Sequence, residues 1–266
     1  MPRPIWSGAI SFGLVNVPVK LFSAVSPKDV HFNQLDRRTN SRIRQKRVSA
    51  ATGEEVPYEE IVKGYELRPD TYVTITQEEL DALDPKATKT IDIEDFVDLD
   101  QIDPIYYERP YYLVPDKGGA KAYALLRAAM QETNKVGIAR LVLRTKQYLA
   151  AIRPKDDVLV IETMLYPDEV VPSDDLDLPG DEVEVTDREE KMARQLIDSL
   201  TTEFDPSKYR DDYRERVLEL IEQKASGQEI VVEEPTEEPT KVVDLMAALE
   251  ASLAAVKKDG GKKQDK

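Results

Sequence analysis

Short alternating or wholly apolar runs dominate the first 165 residues of the chain. They fall at Trp6 to Val19, Val30 to Leu35, Arg42 to Val48, Tyr72 to Ile75, Thr90 to Phe96, Tyr111 to Val114, Val136 to Arg144, Gln147 to Arg153 and Val158 to Leu165. A period of two places alternate side chains on one face, so these runs read as strands, and many short strands predict a barrel or sandwich. Helical signals punctuate them. Pro57 to Tyr65 is a candidate helix, and Thr76-Gln77-Glu78-Glu79 has the capping-box pattern for a helix reaching Leu83. Lys117 to Asn134 carries Tyr123, Leu126 and Met130 at spacings of three and four, one apolar stripe of a helix.

The period changes past Gly180. Thr186-Asp187-Arg188-Glu189 caps a helix with Met192, Leu196, Leu200 and Phe204 on one side, and a second helix carries Tyr213, Val217, Leu220 and Ile221. The acidic, proline-bearing stretch GQEIVVEEPTEEPT at 227–240 reads as a linker. Beyond it Val242, Leu245, Met246, Leu249, Leu253 and Val256 form an amphipathic stripe. Such a helix either docks in a groove of another protein or packs on its own domain. The pattern predicts a β-rich α+β chain: a core over 1–180, a helical extension over 181–226, the linker over 227–240, and a terminal helix with a basic tail over 241–266.

Composition narrows the chemistry. The 266 residues contain no Cys and one His, which removes disulfides, thiolate nucleophiles and thiolate metal ligands and leaves little for a zinc site. His31, the single histidine, lies in an alternating run and reads as an ordinary strand position. Gly8 and Gly13 have the spacing of a phosphate-binding loop, but Leu14 and Val15 stand where Lys and Ser/Thr must follow. The carboxylate-rich run from Asp92 to Asp103 keeps a metal-dependent nuclease open, although its interleaved apolar residues look more like a strand with a solvated face. No metal or cofactor is expected. No apolar run approaches the roughly 18 residues of a membrane span, and the first residues, MPRPIWSG, lack the apolar stretch of a secretory signal, so a cytoplasmic location is expected.

Net charge is −15, but it is strongly segmented. Residues 1–50 carry +7 and residues 117–160 carry +6, whereas 51–116 carry −13 and 161–240 carry −17. Two basic blocks kept apart from acid suit a polyanion that needs cations presented together. In the first block Arg37, Arg38, Arg42, Arg44, Lys46 and Arg47 are the candidate phosphate contacts. On a strand Arg42, Arg44 and Lys46 would share a face at about 7 Å spacing; a solvated face balanced by neighbouring acid is the competing reading. In the second block the candidates are Lys117, Lys121, Arg140, Arg144 and Arg153. No helix-turn-helix or zinc finger is present, so backbone contact without sequence preference is expected.

The residues carry a resemblance. Trp6-Ser7-Gly8-Ala9-Ile10-Ser11-Phe12-Gly13-Leu14-Val15-Asn16-Val17-Pro18-Val19, Ser41-Arg42-Ile43-Arg44-Gln45-Lys46-Arg47-Val48 and Val62-Lys63-Gly64-Tyr65-Glu66 closely resemble the prokaryotic Ku proteins. So do Phe96-Val97-Asp98, Pro110-Tyr111-Tyr112-Leu113, Lys121-Ala122-Tyr123 and Ile138-Ala139-Arg140-Leu141-Val142-Leu143-Arg144, in the same order. The resemblance implies a Ku-type β-barrel core with helical extensions and a C-terminal helical arm. It further implies a homodimeric ring that threads onto double-stranded DNA ends in non-homologous end joining, at the nucleoid, without catalysis. Its implied partner is an ATP-dependent DNA ligase, with Val242, Leu245, Met246, Leu249 and Leu253 in the region associated with ligase recruitment. Where some relatives carry a CxxC pair this chain has Ser49-Ala50-Ala51-Thr52, so a metal at that turn is not carried over. The lysine-rich tail of some relatives is reduced to Lys257, Lys258, Lys262, Lys263 and Lys266, which puts tail-driven DNA binding in doubt. Outside this family, the alternatives are a metal-dependent nuclease using the Asp92 to Asp103 carboxylates, or a protein-only scaffold.

Overall fold

The structure, a computed structural model, describes residues 3–83, 89–143, 146–180, 183–227 and 245–260. Its centre is a closed seven-stranded barrel. β1 (Trp6–Phe12) and β2 (Val15–Ser23) form a hairpin, in which Gly13 takes φ +59° at the first position of a two-residue turn. Four short strands follow in two separate ribbons: β3 (Leu35–Asp36) with β4 (Ser41–Arg42), and β5 (Lys63–Arg68) with β6 (Thr71–Ile75). Helix α1 (Gln77–Leu83) precedes β7 (Thr90–Asp98), which re-enters the barrel. β8 (Tyr107–Pro115), helix α2 (Ala120–Thr133), β9 (Lys135–Leu143), β10 (Lys146–Lys155) and β11 (Val158–Met164) complete it. Strand order is β1-β2-β8-β11-β10-β9-β7, closed by a parallel pairing of β7 with β1. Closure leaves no unpaired edge.

Alternation explains the core. Val17, Val19 and Leu21, Ala139 and Leu141, Ala150 and Ile152, and Leu159 and Ile161 are two apart within their strands, and with Ile10, Ile91 and Leu113 they are essentially inaccessible to water. Tyr123, Leu126 and Met130 of α2 join this cluster and cover one barrel end. The Tyr123 hydroxyl donates to the Leu113 carbonyl and accepts from the Leu159 N–H, both at 2.7 Å. It thereby bridges two residues paired across β8 and β11. Burial pushes the phenol's pKa up, so it stays a donor. At the start of α2, Gly119 is required because a Cβ would lie 2.5 Å from the Pro18 carbonyl oxygen. Lys20 closes the same corner with a 2.6 Å ion pair to Asp116.

By contacts the chain divides into two compact units, Met1–Lys28 with Asn33–Ser173, and Asp29–Phe32 with Asp174–Lys266. In the second, α3 (Asp187–Leu200) starts at a capping box in which Thr186 and Glu189 bind each other's backbone, and α4 (Asp212–Ala225) follows. α5 (Leu245–Gly260) packs on α3, tied by an Arg188–Glu250 ion pair of 3.2 Å. None of the described helices is long and apolar enough to cross a membrane.

Four expectations change. Val30 to Leu35 is not a strand: only Leu35 and Asp36 pair, with Arg42 and Ser41, and His31 is exposed in a segment without ladder partners. Arg42 to Val48 is not a strand either, because only Arg42 is in a ladder and Val48 makes an isolated bridge to Glu55. Ile43 and Val48 are both about half exposed, and without a buried face nothing fixes a strand register there. Pro57 to Tyr65 forms a single 3-10 turn at Tyr58–Glu60 and then enters β5, since Ile61, Val62 and Gly64 disfavour a helix. Phe204 lies beyond α3, exposed and stacked on Tyr209 with ring centres 6.0 Å apart.

Candidate nucleic-acid interface

The first basic block is built on the β3–β4 turn and the extended segment after it. Arg38 is folded back on Asp36 through Nη2 to Oδ2 at 3.0 Å and Nε to Oδ1 at 3.1 Å. That guanidinium, aided by the Arg38 N–H, holds the Asp36 carboxyl below its ordinary pKa. Lys46 pairs with Glu55 at 2.5 Å, on the neighbouring arm of the turn that the Val48–Glu55 bridge closes. Arg47 lies over the Tyr58 ring, 5.4 Å from its centre, where the ring face attracts the cation. Arg37, Arg42 and Arg44 are exposed, with no carboxylate within ion-pair distance among the described residues. These three are the cations that the local structure leaves available.

The second block is more committed to the barrel. Arg140 on β9 meets Glu94 on β7 at 3.3 Å, and Lys135 meets Asp98 at 2.7 Å across the same pair of strands. Arg153 on β10 forms a two-pronged pair with Glu162 on β11, at 2.9 Å and 3.1 Å. Their side chains are only 28% and 15% exposed, so Arg153 is the least available cation of the set. Lys117, just before α2, and Lys121, in its first turn, are exposed and make no side-chain ion pair among the described residues, although Asp116 lies beside Lys117 and accepts from its N–H. Arg144 lies outside the described residues. The structure therefore separates Arg37, Arg42, Arg44, Lys117 and Lys121 from Arg38, Lys46, Arg140 and Arg153, a distinction that charge counting cannot make.

The carboxylates from Asp92 to Asp103 are dispersed. Asp92 accepts from Thr90, Glu94 and Asp98 pair with Arg140 and Lys135, and Asp103 caps a 3-10 turn through the Ile105 N–H. Among the described residues no group of three or more His, Asp or Glu side chains is arranged to hold a metal ion. What this surface offers chemically is charge neutralisation at phosphate oxygens, from long side chains on irregular backbone that do not prescribe a base sequence.

Sequence reasoning found β6 in the run from Tyr72 to Ile75 but missed β5 and the ribbon that the two strands form. Every side chain of β5 is exposed, and of β6 only Ile75 is partly covered. Ile61, Val62, Tyr65, Leu67, Tyr72 and Val73 all present more than 40% of their surface to water. Among the described residues no third strand joins this ribbon, and a two-stranded ribbon with exposed apolar side chains is marginal in water by itself. Alternation could not reveal this, since it marks faces without saying what lies against them. The C-terminal stripe is likewise reinterpreted: Met246, Leu249 and Leu253 are half-buried where α5 meets α3, Leu245 opens that helix, and Val242 lies outside the described residues.

The family model described as Ku70/Ku80 beta-barrel domain matches residues 11–192. Non-homologous end joining protein Ku of Anaeromyxobacter sp. (strain K) is 51% identical over 263 residues, covering 98% of this chain and 88% of that protein. The protein of the same name from Heliobacterium modesticaldum is 48% identical over 255 residues, covering 96% and 92%. That of Coxiella burnetii is 41% identical over 257 residues, with 94% of each chain covered.

Proposed function

The chain belongs to the Ku β-barrel domain family, and from that membership we propose that it binds the ends of double-stranded DNA as a ring-shaped homodimer in non-homologous end joining. The observation that carries the reading is the set of exposed arginines, Arg37, Arg42 and Arg44, without an ion-pair partner among the described residues, on a chain whose net charge is −15. Acid elsewhere repels DNA from most of the surface, so affinity is confined to the segment that presents cations together. The apolar ribbon β5–β6 lies in the same excursion between β2 and β7 and supplies the self-association surface: a second copy would cover Tyr65, Leu67, Tyr72 and Val73. Lys117 and Lys121 add a second point of contact with the backbone, and a DNA ligase of end joining is recruited by the helical region ending in α5.

Ring closure makes topology the discriminating variable. A linear duplex and the same sequence as a covalently closed circle offer identical phosphates, but only the first can enter a closed ring. Competition of the two for a labelled linear fragment is expected to show strong preference for the linear form. Equal competition by the circle overturns threading.

A further inference from the structure

The two ends of the barrel differ. α2 covers the end where β8 finishes and β11 starts, through Tyr123 against Leu113 and Leu159. At the other end, where β8 starts and β2 finishes, Ile5, Trp6, Ser23, Arg109, Tyr111, Leu143 and Tyr148 line a pocket of about 280 Å³. Strand alternation explains the lining. Trp6 is in phase with Gly8 and Ile10, Tyr111 with Leu113, Leu143 with Leu141, and Tyr148 with Ala150, all on the interior face.

Several features make this mouth a built site. The Trp6 indole is folded against the backbone of Gly8, where a Cβ would come within 2.3 Å of Cη2 and 2.6 Å of Cζ2. Three aromatic side chains, Trp6, Tyr111 and Tyr148, thus share one small cavity. Arg109 lines it as well, exposed and with no ion-pair partner among the described residues, while the adjacent Glu108 is occupied by the Thr163 hydroxyl at 3.1 Å. Lys146 lies 5.0 Å from the Tyr148 ring centre but is paired with Glu169 at 3.7 Å, so Arg109 is the cation that the cavity lining itself supplies. Aromatic walls favour a planar π-system, and guanidinium beside them disfavours a cation and suits a two-pronged phosphate contact.

We propose that the open barrel mouth binds a nucleoside 5′-monophosphate unit, with the base against Trp6, Tyr111 and Tyr148 and the phosphate on Arg109. The choice of a nucleotide over other planar anions rests on the DNA-end reading above. A free nucleotide and the frayed 5′-terminal nucleotide of a strand present the same chemistry.

Trp6 is the only tryptophan of the chain, so its emission reports this cavity directly. The full-length protein is titrated with deoxyadenosine 5′-monophosphate, with deoxyadenosine, and with a blunt duplex carrying either a 5′-phosphate or a 5′-hydroxyl. Saturable quenching by the monophosphate, weaker quenching by the nucleoside, and competition by inorganic phosphate are expected. Arg109→Gln should weaken the monophosphate at least about tenfold, the loss of a charge-assisted contact, and leave the nucleoside unchanged. Phosphate-dependent quenching by the duplex assigns the site to DNA termini, and quenching by the mononucleotide alone assigns it to free nucleotide. Absence of saturable quenching, or equal affinity of the parent and Arg109→Gln proteins, overturns the proposal. The linear-versus-circle competition is run on the same Arg109→Gln protein, so loss of the nucleotide site with end preference intact separates the two readings.

Discussion

If Arg42 and Arg44 contact phosphate, their removal must appear in the salt dependence of binding, with a size set by how many cations the structure leaves unpaired. Neither residue has a carboxylate partner among the described residues, so each counts as a full charge. Neutralising a phosphate contributes about 0.9 to the slope of log affinity against log salt. In the proposed homodimer the Arg42→Ala/Arg44→Ala variant removes four cations, so its slope should be shallower by about 3.6. Lys46 is the internal control. It is paired with Glu55 at 2.5 Å, so the two together present little net charge. Replacing both by Ala should leave the slope within about 0.5 of the parent, because an exposed ion pair of this kind is worth little for stability and its removal shifts no net charge. The assay is fluorescence anisotropy of a labelled duplex across about 50 to 200 mM salt, the range over which phosphate contacts are resolved. An unchanged slope for the Arg42→Ala/Arg44→Ala variant refutes the assignment of this segment to DNA.

Three further outcomes are expected. Tyr123→Phe removes the hydroxyl between Leu113 and Leu159 and leaves a buried donor and acceptor unsatisfied; urea unfolding followed by Trp6 emission should show a loss of about 2–4 kcal/mol. Asp116 is held below its ordinary pKa, chiefly by the Lys20 hydrogen bond and then by the Lys117 N–H. A depressed carboxyl stabilises the fold fully above its unfolded pKa of about 3.9, and that contribution is lost as pH falls through the lower folded value, so Asp116→Asn should flatten the decline in urea midpoint in this acidic range. Truncation after Gly227 removes α5 from α3 and should abolish stimulation of an end-joining ligase while DNA end binding persists; full stimulation by the truncated protein counts against recruitment through this region.

Local pattern determined much of the architecture, because a barrel strand needs one buried face and that face writes itself into every second residue. β7 through β11 were legible for this reason, as were α1 and α3, whose capping boxes at Thr76 and Thr186 are read by backbone N–H groups a few residues away. Segments without a buried face were misread. Val30 to Leu35, Arg42 to Val48 and Pro57 to Tyr65 carry weak or mixed periodicity, and only the presence or absence of a neighbouring strand decided their form. The two basic blocks were visible as charge, yet which cations are paired was not, and in the second block the partners come from other strands. Glu94 for Arg140 and Asp98 for Lys135 come from the adjacent strand, and Glu162 for Arg153 from across a hairpin. Sequence by itself therefore determined which segments are cationic and which residues could face a core. Tertiary structure decided which of those cations remain free for a ligand and which barrel end carries the aromatic pocket, because local turns pair Arg38 and Lys46 while assembly of the sheet pairs Arg140 and Arg153 and gathers the pocket lining.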